Sequence, residues 1–134
     1  MYAKIIKKTT SYANEESFKI LVGSTVEYTS PILADNQERT LETCLSVTKR
    51  STYSLVMMDS ANDAWSDGAW IAVKDSNDHI VFKGMMSAAT TETVDFALYS
   101  PISKNEQWKR TASFQGGWNQ YSFDDSAWSS FTCG

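Results

Sequence analysis

The stretch YSLVMMDSANDAWSDGAWIAVKDSNDHIVFKG, residues 53–84, decides the fold class. Its opening alternates Tyr53, Leu55 and Met57 with Ser54, Val56 and Met58. A period of two places the two sets on opposite faces of a β-strand, here with both faces partly apolar. Two further strand-length runs, 69–74 and 79–85, flank Asp75-Ser76-Asn77-Asp78, a cluster of turn-forming residues of hairpin length. Three strands joined by polar turns make this stretch a piece of a β domain.

The same period extends outward in both directions. Residues 17–22 put Phe18, Ile20 and Val22 on one face, and 25–30 follow Gly23 as a hairpin partner. Residues 91–99 place Val94, Phe96 and Leu98 inward against Thr93, Asp95 and Ala97. In TLETCLSV, residues 40–47, Leu41, Leu45 and Val47 share a face while Cys44 points away with Glu42 and Ser46. Helical signals are poor: the best candidate, LADNQERTL at 33–41, is short and polar and reads as a loop. Seven or so antiparallel strands without a βαβ pattern predict an all-β protein, a β-sandwich of jelly-roll or Greek-key type. Residues 1–100 hold this sandwich. Residues 101–134, with Trp108, Trp118 and Trp128 and few aliphatics, are a Trp-rich tail that either packs on the sandwich or opens a truncated second jelly roll.

Composition narrows the function classes. With 134 residues, 42% hydrophobic and 21% charged, the chain is of globular make-up and long enough to bury a core. A net charge of -4 and no basic run longer than the two residues of Lys7-Lys8 argue against nucleic acid as a partner. No apolar run of the roughly 18 residues a spanning helix needs is present, so membrane insertion is not expected. The N-terminal MYAKIIKKTTSYANEES lacks the apolar region of a signal peptide, so an exported protein would be represented here in mature or excerpted form. No N-x-[ST] glycosylation site occurs.

Chemistry concentrates in the loop between 52–58 and 69–74. Asp59, Asn62, Asp63 and Asp67 offer hard oxygen donors of the kind calcium takes, although their spacing is not that of an EF-hand. The same residues are also turn formers that cap their own backbone amides, and the sequence leaves both readings open. Trp65 and Trp70 stand beside Asp63 and Asp67. An indole face can stack on the C–H face of a sugar while carboxylates take its hydroxyls, so this set is the candidate ligand-binding site.

Two resemblances bear on this. Residues 17–99 resemble secreted β-sandwich modules carrying a Y-x-L-x-[ML]-x-D-S-[YF]-G-D-G-W core, matched at Tyr53, Leu55, Met57, Asp59, Ser60, Asp63 and Trp65, with Gly68, Val81 and Phe82 following. Ala61, Asn62 and Ala64 replace the aromatic and the two glycines, which predicts a loop less dependent on glycine geometry. The segment around Trp118, Phe123, Asp124, Asp125, Ser126 and Trp128 is similar to the opening of galactose-binding-like jelly rolls found beside glycoside hydrolase domains. The first resemblance implies a non-catalytic extracellular appendage; the second implies a structural edge of a jelly roll and marks a fold, not a site.

Catalytic constellations fail on their parts. His79 is the only histidine, and neither cysteine has a histidine near it in sequence. No G-x-S-x-G or H-E-x-x-H motif occurs, and the adjacent Asp124 and Asp125 diverge in an extended chain. The expectation is no enzyme. It is a surface or extracellular module that recognises carbohydrate or glycoconjugate, with calcium as candidate ion. The alternative is a structural or adhesive unit that contacts neighbouring protein subunits and self-assembles into a filament, surface layer or adhesin.

A cysteine on a polar strand face calls for a partner across that face, and Cys133 is the candidate; two unrelated thiols in a reducing compartment are the alternative. Closing this loop of about 90 residues would add roughly 4 kcal/mol in the chain-entropy model. Protein purified without reductant is expected to weigh two hydrogens less than its reduced form, with Cys44 and Cys133 in one cross-linked peptide; two free thiols would exclude the bond.

Overall fold

The computed structural model describes residues 1–46 and 52–98. They form eight strands and, among the described residues, no helix: β1 (Tyr2–Lys8), β2 (Glu16–Val22), β3 (Thr25–Thr29), β4 (Glu38–Cys44), β5 (Thr52–Asp59), β6 (Trp70–Lys74), β7 (Ile80–Gly84) and β8 (Thr91–Ala97). One sheet runs β4-β1-β6-β7 and the other β3-β2-β5-β8, and every pairing is antiparallel. Counted from β7 onward through β8 and then β1 to β6, the first sheet reads first, eighth, third, sixth. The second reads second, seventh, fourth, fifth. That is the strand order of an eight-stranded jelly roll, here with the chain opened between its second and third strands.

Alternation puts the expected residues inside. Phe18, Ile20, Tyr53, Leu55, Met57, Phe96 and Leu98 all lie in one buried cluster with Ala3, Ile5, Ile71 and Val73. The rings of Tyr53 and Phe96 stack at 5.6 Å, and the Tyr53 hydroxyl donates to the Ser46 carbonyl at 2.9 Å. At the β2–β3 hairpin Gly23 holds φ at 61°, where a side chain would be strained. The β6–β7 turn is closed by Asp75, whose buried carboxylate accepts the amides of Asn77 and His79 at 2.8 and 3.0 Å. His79 stays exposed, and its part is in that turn.

Two elements depart from expectation. Strand β1 was hidden in YAKIIKK because its inward residues are Ala3, Ile5 and Lys7, and a lysine breaks the apolar period. Strand β4 begins at Glu38, within the stretch that reads as loop, because an edge strand with one solvated face needs few apolar residues. Cys44 lies on the exposed face of β4, opposite Tyr2. Its proposed partner Cys133, and the whole tail 101–134, lie outside the described residues.

Lys7 is fully buried and pairs with the equally buried Glu16 at the start of β2. Its ammonium also donates to the Lys8 carbonyl at 2.9 Å and stands 3.9 Å above the centre of the Trp65 ring. Burial pushes Lys7 below the usual lysine range, against the opposing pull of Glu16. Removing one member leaves an uncompensated buried charge. Glu16→Ala is expected to cost about 3–5 kcal/mol in urea denaturation, and the double change Lys7→Met with Glu16→Leu to recover most of it. A loss under about 1 kcal/mol for the single variant would show that the pair is solvated.

Candidate functional site

The strand registers bring four loops to one end of the sandwich. Lys8 sits opposite both Glu38 and Trp70, Ile71 opposite Gly84, Glu16 opposite Asp59, and Met58 opposite Thr91. Loops 9–15, 30–37, 60–69 and 85–90 therefore emerge together. Hydrogen bonds tie them to one another. Loop 9–15 meets loop 30–37 through Asn36 N to Thr10 O at 2.8 Å, Ala13 N to Asp35 Oδ1 at 2.8 Å and Thr9 Oγ1 to Ala34 O at 2.6 Å. It meets loop 60–69 through Ser60 N to Glu15 O at 3.0 Å, Ser66 Oγ to Ser11 O at 2.6 Å and Thr10 Oγ1 to Asp67 O at 3.0 Å. Loop 85–90 joins through Ala64 N to Ala89 O at 3.1 Å and Thr90 Oγ1 to Asn62 Oδ1 at 3.2 Å. Glu92 closes this last loop by accepting the amides of Ser87 and Ala88, which hold its carboxyl below the usual range.

The buried charge pair reaches into the same loops. Glu16 Oε1 accepts the Ser66 amide at 3.2 Å, and the Trp65 indole N–H donates to the Met58 carbonyl at 2.9 Å. Trp65 is thus pinned as a core residue, 4% exposed, with the Lys7 ammonium over its face. Trp70 faces outward at the start of β6, and Lys83 Nζ lies 4.4 Å above its ring. The expected sugar platform of Trp65 and Trp70 with Asp63 and Asp67 is therefore not assembled. Trp65 turns into the core from loop 60–69, whereas Trp70 is the first residue of β6 and lies on the face opposite the inward Ile71, and the Lys7 ammonium covers the Trp65 ring.

The expected ion ligands divide likewise. Asp59 and Asp63 come together, but their third partner is Glu15 from the neighbouring loop; one carboxylate oxygen of each lies within 4.8 Å of the others. Asn62 is turned to Thr90, and Asp67, exposed, lies outside the group. The donor set is chemically suited to a hard divalent cation such as calcium. Asp59 Oδ2 also accepts the Asp63 amide at 3.1 Å, so the turn-capping reading holds for this residue. Glu15 is far from the Asp-rich loop in sequence; the pairing of Glu16 with Asp59, continued by the bond from Ser60 N to the Glu15 carbonyl, brings it there.

The loop backbone corrects one expectation. Asn62 and Ala64, standing where the resembling motif has glycines, adopt φ of 64° and 71°, and Gly68 follows at 82°. The loop has left-handed geometry at both positions. Asparagine tolerates this well, but an alanine there costs about 1–2 kcal/mol of steric strain.

No family model matches the chain, and no curated protein or solved structure matches it either. Function rests on the geometry of this end.

Ala64→Gly relieves the strain at φ 71° and is expected to leave stability unchanged or raise it by up to about 1 kcal/mol, read from the urea midpoint. A loss of 1 kcal/mol or more would mean that Ala64 does not hold that conformation.

Proposed function

We propose that this chain is a non-catalytic recognition module that works outside the cell or at its surface, binding a carbohydrate or glycoconjugate at the loop end of the sandwich. The observation that carries the reading is the hydrogen-bonded union of the four loops. A surface already ordered before binding loses little conformational entropy when a ligand arrives. Its chemistry suits a hydroxyl-rich ligand. The loops contribute Glu15, Asp35, Asp63 and Asp67 with Asn14, Asn36, Asn62 and several hydroxyls, and contain no lysine, arginine or histidine. Calcium, the ion proposed to assist, would be held by Glu15, Asp59 and Asp63, with carbonyls or water completing its shell.

Secretion is proposed on the resemblance of residues 17–99 to secreted modules and on the expected Cys44–Cys133 pairing. A structural or adhesive role in a self-assembling array is the second reading. It is favoured by the open sheets: β3, β4, β7 and β8 each lack a second neighbour among the described residues, and Val26 and Ile80 are exposed on β3 and β7. Unpaired edges are templates for further strands.

Calorimetric titration of the whole chain with calcium is expected to give one site that is lost on Asp59→Asn with Asp63→Asn, and glycan-array screening is expected to yield retained ligands. Silence on the array sinks the recognition reading. Ordered polymers seen by electron microscopy would move the assignment to the structural one.

A further inference from the structure

The carbohydrate reading needs an apolar platform for the sugar ring, and neither tryptophan of the described residues supplies it. Trp65 is sealed in the core and Trp70 is covered by Lys83. Tyr12 is different. It is 66% exposed in loop 9–15, and its hydroxyl makes no hydrogen bond among the described residues. Its backbone is nevertheless held on both sides. The carbonyl of Ser11 accepts the Ser66 hydroxyl at 2.6 Å, the Tyr12 carbonyl accepts the Glu15 amide at 3.0 Å, and the next residue, Ala13, is tied to Asp35. Tyr12 itself sits at φ 58°, a conformation that a bulky residue adopts only where its surroundings impose it. The result is a large aromatic ring fixed at its base and open to solvent above.

We infer that Tyr12 is the stacking platform for an uncharged hexopyranose residue at the loop end, an inference that rests on the carbohydrate reading of that surface. A phenol ring has a flat face of negative quadrupole, which attracts the polarised C–H groups on the apolar side of a pyranose. Tyrosine has two side-chain torsions to order, so the contact costs little entropy. Glu15, in the same turn, and Asp63 provide acceptors for the sugar hydroxyls. Charge selects the class of sugar. The four loops carry carboxylates and no cation of their own, and juxtaposing like charges disfavours a sulfate or uronate.

The test uses the whole chain on immobilised uncharged hexose oligosaccharides and on sulfated and uronic counterparts, in calcium-containing buffer. Tyr12→Ala and Tyr12→Phe are compared with the parent, with folding checked by circular dichroism. Tyr12→Asn is added because asparagine suits a left-handed backbone and removes the ring even if alanine perturbs the loop. The expected result is binding to uncharged glycans only, weakened about tenfold or more by Tyr12→Ala and Tyr12→Asn and kept within a few-fold by Tyr12→Phe. Undiminished affinity in both ring-less variants, or preference for the anionic glycans, overturns the role of Tyr12 while leaving carbohydrate recognition standing. Retention of no glycan at all overturns both.

Discussion

A lysine ammonium sealed inside a β-sandwich is the constraint around which the loop end of this protein is arranged. Lys7 occupies a position that alternation directs into the core, where an unpaired charge is untenable. Its positive charge is met by Glu16, a main-chain carbonyl and the face of Trp65. Two of these partners have a second duty. Glu16 takes the Ser66 amide, and Trp65 bonds to the end of β5, so the demand of one buried cation fixes the path of the loop that follows Asp59 and carries Asp63. Such pairs add little net stability over an apolar replacement. Here the pair fixes a conformation, and the conformation it fixes belongs to the surface proposed to recognise a ligand.

The fold was legible because seven of the eight strands advertise themselves by alternation or by turn residues, even though β4 starts earlier than its apolar pattern. The exception is instructive. In β1 the inward triplet is Ala3, Ile5 and Lys7, and without knowing that Glu16 and Trp65 wait across the core, nothing distinguishes Lys7 from a surface lysine. The same ignorance of long-range partners explains the site. Asp59 and Asp63 stood out because they are close in sequence, whereas Glu15 belongs with them only through the pairing of β2 with β5. Trp65 and Trp70 are also close in sequence and are not a pair, since the loop carries Trp65 into the core while Trp70 opens β6 on its outward face.

The left-handed loop residues add a second lesson. Without glycine at positions 62 and 64 the loop is expected to depend less on glycine geometry, yet the backbone there is left-handed with asparagine and alanine in place. Tertiary contacts hold it: Ala64 N is bonded to Ala89 O, and Asn62 to Thr90. Local strain is tolerated where neighbours over-determine the geometry. The same condition holds at Tyr12.

The central claim is that the four loops form one pre-ordered surface, held through the buried lysine. Amide hydrogen exchange by NMR tests it most directly, because the amides of Ala13, Asn36, Ser60, Ala64 and Ser66 all donate across or into that surface. The account predicts protection of these five amides approaching that of β2 and β5. Exchange at the rate of free loop amides, with the strands still protected, would contradict it.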